Sequence, residues 1–160
     1  MLLKLVHVAQ VVIAAYGAVQ FQVAITRLLE YEDATKKLAK ISNEAERQLH
    51  KTRTTQAAGA VALLVSFAVS ALLATGGAPS ILVSYLASPV MALTVFAART
   101  YIQDFWGKGG KKITANKIPL PKLGAYNEAL ERTQKALEVL RWLGISWAAS
   151  TVLALGEGYA

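Results

Sequence analysis

Ala57-Ala-Gly-Ala-Val-Ala-Leu-Leu-Val-Ser-Phe-Ala-Val-Ser-Ala-Leu-Leu-Ala-Thr75 contains no charged residue and no proline. A helix rises about 1.5 Å per residue, so this stretch nearly matches the roughly 30 Å hydrocarbon core of a bilayer. It reads as a membrane-spanning helix. Ala62, Ser66 and Ser70 recur at every fourth position and form a small-residue face, which lets another helix come close in lipid.

On its C-terminal side, Gly76-Gly-Ala-Pro79 stops the helix. Glycine suits the position just past a helix end, and proline suits the first turn of the next helix. So short a turn demands an antiparallel partner, and the uncharged run from Pro79 to Ala98 supplies it. That span, about 80–98, repeats the small spacing at Ser84 and Ser88. It carries Pro89, which removes a backbone hydrogen bond and should kink the helix. Tyr101, Phe105 and Trp106 follow, placed as an interfacial aromatic belt would be.

On the other side, Arg27 to Gln56 is polar, free of Gly and Pro, and rich in helix formers. Glu32–Lys36 and Asp33–Lys37 are favourable i,i+4 pairs. Asn43 with Glu46 makes a capping-box-like start, so 27–56 is expected to be a helical hairpin broken at Ser42-Asn43. Leu38, Ile41, Ala45 and Leu49 would be its seam. The rival reading is one helix lying on the membrane surface. Before it, the span of about 5–26 is uncharged and places His7, Gln10, Gly17 and Gln20 on one broad face. In lipid such a face turns toward other helices.

After Trp106 the composition changes. Residues 107–122 read as a basic loop, Gly-rich at its start and with a Pro-x-Pro near its end. The last helix has two characters. Residues 122–138 carry Leu123, Leu130 and Leu137 at heptad spacing, a coiled-coil-like pattern. Residues 139–157 form the fourth span, with Gly144 and Ala148 as its close-packing pair.

The basic residues sort with this arrangement. Of the 17 lysines and arginines, all but Lys4 fall between spans one and two or between span three and the entrance of span four, through Arg141. The positive-inside rule then puts both polar connections in the cytoplasm and both termini on the non-cytoplasmic side. The expected fold is all-α: a polytopic four-helix transmembrane bundle with cytoplasmic helical extensions. Only 17% of the chain is charged, below the roughly 25% of soluble domains.

The chemistry is sparse. The absence of cysteine excludes disulfides, thiolate metal sites and cysteine nucleophiles. There is no His cluster, no paired carboxylates and no charge at mid-depth in any span, so no cofactor, no metal and no ion-coupled transport is expected. Lys108, Lys111, Lys112 and Lys117 are candidate lipid-headgroup contacts. Gly110-Lys111-Lys112 lacks the Ser or Thr of a P-loop. The net charge of +7 is tied to the bilayer, so the expected partners are the bilayer and its anionic lipids rather than nucleic acid. A membrane-protein partner or a second copy of the chain is also expected. His7, Gln10 and Gln20 form the candidate intramembrane polar site. Arg99 and Arg141 stand at the membrane ends of their spans, where they would anchor helix ends or receive an anionic group.

The order of hairpin, tight turn, basic loop and long last helix, with Arg141 entering the last span, resembles small fungal four-span families such as the anthrone-oxygenase-like membrane proteins. No site residue is carried across on that likeness. The functional expectation is a non-enzymatic accessory, scaffold or assembly protein acting through helix packing. The alternative is a small membrane enzyme or carrier holding a lipophilic substrate around Gln10, Gln20 and the Pro89 kink.

Overall fold

The computed structural model of the chain describes residues 1–39, 43–109 and 123–157. Four long helices account for almost all of them: α1 (Leu2–Ala39), α2 (Asn43–Thr75), α3 (Ile81–Gln103) and α4 (Leu123–Glu157). Each contains a segment long and apolar enough to cross a membrane: Leu2–Glu30, His50–Thr75, Ile81–Trp106 and Asn127–Glu157. The protein is an all-α polytopic membrane bundle.

The stop after the opening span is built as the glycines require. Gly76 takes a positive φ of 72°, which costs a residue without Cβ little. Its N–H reaches Leu73 O, and Gly77 N–H reaches Leu72 O at 2.9 Å, the paired closure of a Schellman motif. The start of α3 differs from the expectation. Pro79 lies outside the helix, and Ser80 is the N-cap, its hydroxyl accepting from Val83 N–H. Proline has no side-chain acceptor for Val83 N–H, whereas serine has its hydroxyl oxygen, so the cap falls at Ser80.

Glycines set the registers. A Cβ on Gly59 would strike the Phe21 ring, and one on Gly17 would crowd Leu63 and Val139. Thus α1 and α2 run antiparallel in close approach, with α4 against the same stretch of α1. Gly144 on α4 receives the Phe96 ring of α3 in the same way. Ala62, Ser66 and Ser70 on α2, and Ser84 and Ser88 on α3, are all buried. Ala148 is exposed. The interior face of α4 runs through Leu140, Leu143, Gly144 and Trp147, and a further residue turns Ala148 off it.

α3 runs through Pro89 as one helix, and a π-helical stretch, Asp104–Gly109, carries it past the expected end at Ala98 and into the segment read as loop. No breaker stands between Arg99 and Trp106 to end the helix sooner. Trp106 is therefore not an interfacial ring. It is 1% exposed, lies edge-on to Phe105, and donates its indole N–H to Thr55 Oγ1 at 2.9 Å. Tyr101 does stay exposed.

Candidate functional site

Inside the bundle, the His7–Gln10 end of α1 meets the last turns of α4. Gln10 is fully buried, which is costly for an amide unless all its atoms find partners. Its Oε1 accepts from His7 Nδ1 at 2.7 Å, so that nitrogen carries the proton. Its Nε2 donates to Ser146 Oγ at 3.2 Å and to Ser150 Oγ at 3.1 Å. Those hydroxyls in turn donate to backbone carbonyls of their own helix, Ser146 to Leu143 O and Ser150 to Ser146 O. The i,i+4 serines of α4 thus form a two-hydroxyl cradle for one carboxamide.

Trp147 sits beside this network, its ring 5.7 Å from that of His7 and tilted by 43°. Its indole N–H donates to Ser66 Oγ at 2.8 Å, joining α4 to the small-residue face of α2. Ser70 on that face donates to Ser66 O. The face that admits a neighbour also supplies the hydrogen-bond acceptor that neighbour needs.

Gln20 belongs elsewhere. Thirteen residues separate it from His7, about 20 Å along the helix. Its Oε1 accepts from Arg132 Nη1 at 3.1 Å. In the same zone Gln56 Nε2 donates to Thr133 Oγ1 at 2.7 Å, and Arg27 pairs with Glu128 at 2.8 Å and with Glu30. The expected three-residue polar site is therefore two separate layers, one at His7–Gln10 and one at Gln20–Arg132.

A cavity of about 390 Å³ opens at the end of the bundle that carries the turn, lined by Lys4, His7, Leu73, Gly76, Ser80 and Ser84 among others. Gln10, Gln20 and Pro89 do not line it. Among the described residues no three His, Asp or Glu side chains converge as a metal site would need. Lys111, Lys112 and Lys117 lie outside the described residues. Lys108 falls in the π-helical stretch, and its side chain is likewise outside them. The same holds for the charge pairs and the seam expected within 32–49, Asp33 excepted, which is exposed.

Sequence reasoning named His7 and Gln10 but not their receivers, Ser146 and Ser150, nor the clamps Trp147–Ser66 and Trp106–Thr55. The i,i+4 serine pair in an apolar span was a readable signal. The tryptophan clamps carried none, because an indole in a span is as suited to the interface as to the core.

The class is thus a four-helix membrane bundle with an internally hydrogen-bonded core. No known protein family, curated protein or solved structure matches the chain.

Proposed function

We propose that the protein is a non-enzymatic membrane scaffold or assembly factor, working through the packing of its helices. One observation carries this reading: the polar groups of the His7–Gln10 layer and the buried Trp147 indole are engaged with one another. Gln10 is matched by His7, Ser146 and Ser150, and Trp147 by Ser66. Around them Trp106, Trp147, Phe21, Leu63, Leu140 and Leu143 are fully buried and fill the bundle. A carrier or enzyme would instead hold such groups open toward a substrate space.

The carrier reading retains one observation of its own, the cavity beside His7 and Ser84. It stands away from Gln10, Gln20 and Pro89, where a substrate inside the bundle was expected.

The proposed orientation follows from charge. The basic connections, with Lys108, Lys111, Lys112 and Lys117 against anionic headgroups, face the cytoplasm, and both termini face away from it. The chain has no cysteine, so a cysteine introduced at Arg53 or at Gly156 is a single reporter. An impermeant thiol reagent applied to intact cells should label the second and not the first; the opposite pattern rejects the orientation.

The function is tested by affinity capture of the full chain in mild detergent. A stoichiometric protein partner, or a stable homo-oligomer, supports the scaffold. Recovery of a monomer with bound lipid alone rejects it in favour of the carrier.

A further inference from the structure

Three arginines are half-buried in the described structure: Arg27, Arg99 and Arg132. Arg27 has Glu30 and Glu128, and Arg132 has Gln20. Arg99 has no counterpart. Its Nε is buried without a hydrogen-bond partner, and no carboxylate pairs with it among the described residues. Yet it stands inside the apolar segment Ile81–Trp106, seven residues from its end. An uncompensated guanidinium at that depth is expensive unless an anion comes to it.

The helix register brings a second guanidinium level with it. Phe96 packs on Gly144, and α3 and α4 run in opposite directions. Three residues on along α3 and three back along α4 are Arg99 and Arg141. Arg141 is half-exposed. One of its nitrogens contacts Glu138 at 3.5 Å, and its guanidinium carbon lies 5.9 Å from the Trp142 ring centre. That ion pair joins two well-exposed side chains one turn apart and is readily displaced. The other acid near this end of α3, Asp104, is exposed five residues beyond Arg99.

The surroundings have two characters. Tyr101 and Trp142, both exposed, flank the arginines as headgroup-level rings do. Toward mid-bundle, Leu93, Phe96 and Ile145 are exposed and apolar. A cationic fork above an apolar groove matches one occupant: a phosphate head with an acyl chain below it.

We infer that Arg99 and Arg141, on the α3–α4 seam, form a binding site for the phosphate of an anionic phospholipid whose acyl chain lies along Leu93, Phe96 and Ile145. The site is distinct from the lysines of 107–122 and does not depend on the scaffold reading.

The chain's three tryptophans provide the readout, since Trp142 is exposed whereas Trp106 and Trp147 are buried. The full chain is reconstituted in phosphatidylcholine nanodiscs containing either brominated phosphatidylglycerol or brominated phosphatidylcholine at equal mole fraction. A W142F chain, which keeps only Trp106 and Trp147, measures the background of those two indoles, and that background is subtracted. The brominated anionic lipid should quench Trp142 at least threefold more than its zwitterionic counterpart. The preference should fall to unity in R99Q/R141Q and persist in K108Q/K111Q/K112Q/K117Q. Equal quenching of the wild-type chain by the two lipids overturns the site, as does a preference that survives R99Q/R141Q. So does a protein partner that is captured by the wild-type chain, is lost with R99Q and protects Trp142 from both lipids. Should R99Q/R141Q fail to fold, the lysine variant and the wild-type ratio still decide: a ratio that collapses with the lysines rejects the arginine site.

Discussion

α3 and α4 cross the same bundle on different terms. α3 is the more apolar of the two, yet 22% of its most apolar window is buried, against 39% for α4. A soluble bundle would reverse that order, because water drives the most apolar helix inward. In lipid the hydrocarbon surrounding a leucine is as apolar as the core, so apolarity confers no preference for the interior. Burial follows instead the groups that need a protein partner. α4 is held by its tryptophan, serine and threonine contacts to α1 and α2, whereas α3 packs through Ser84, Ser88, Met91, Val95 and Phe96 and is clamped to α2 past its end, by Trp106 on Thr55.

The contrast is most exposed at Trp147. Replacing it with alanine removes a fully buried indole and leaves Ser66 without its donor. The expected loss is about 3–5 kcal/mol, read from reversible unfolding in mixed micelles with increasing dodecyl sulfate. Leu93→Ala on α3 removes a side chain that is 73% exposed and should cost no more than about 0.5 kcal/mol. Similar losses for the two would mean that apolar area, not partnering, holds the bundle.

The shape-held seam has its own weak point. A Cβ on Gly144 would lie 2.8 Å from Phe96 Cζ, and the ring must move. Gly144→Val should destabilise by about 1–3 kcal/mol, and adding Phe96→Ala should return part of it. Losses that simply add in the double variant would disconnect the two residues and with them the register that aligns Arg99 with Arg141.

This division explains what could be read from the sequence. The four helices, the Gly76 stop and the buried small residues Ala62, Ser66, Ser70, Ser84 and Ser88 were legible, because length, chain breakers and fourfold spacing are local patterns. Ala148 was misassigned because an i,i+4 pair drifts about 40° around a helix, and only the neighbour decides which residue of the pair it meets. The polar site was half legible. His7 and Gln10 are close enough in sequence to find each other, but Gln20 shares their face at another depth. Ser146 and Ser150 lie some 140 residues away, beyond any local pattern. Trp106 looked interfacial since nothing in its neighbourhood names Thr55.

Two serines one turn apart on α2 sharpen the comparison further. Ser66 accepts from Trp147, whereas Ser70 donates to the backbone of its own helix. Both are fully buried and both are small. Ser66→Ala should therefore cost roughly 0.6–1.7 kcal/mol, the range of interhelical hydrogen bonds in membrane bundles, while Ser70→Ala stays near zero. The same micelle titration reads both. A Ser70 variant that costs as much as the Ser66 variant would show that the hydroxyl matters for packing rather than as an acceptor.

The smallest effect is expected where α1 and α4 meet through charge. Arg27 Nε lies 2.8 Å from Glu128 Oε2, the closest ion pair described, yet the side chains are 41% and 37% exposed. Solvent and salt screen such a pair, and Arg27 retains Glu30 when Glu128 is lost. Glu128→Gln should thus shift stability by no more than about 1 kcal/mol at low salt, and the difference should shrink as salt rises toward the molar range. A larger, salt-independent loss would place Arg27 and Glu128 with the buried partners of α4 rather than with its solvated surface. Interior partnering would then extend past the Gln20–Arg132 layer toward Leu123.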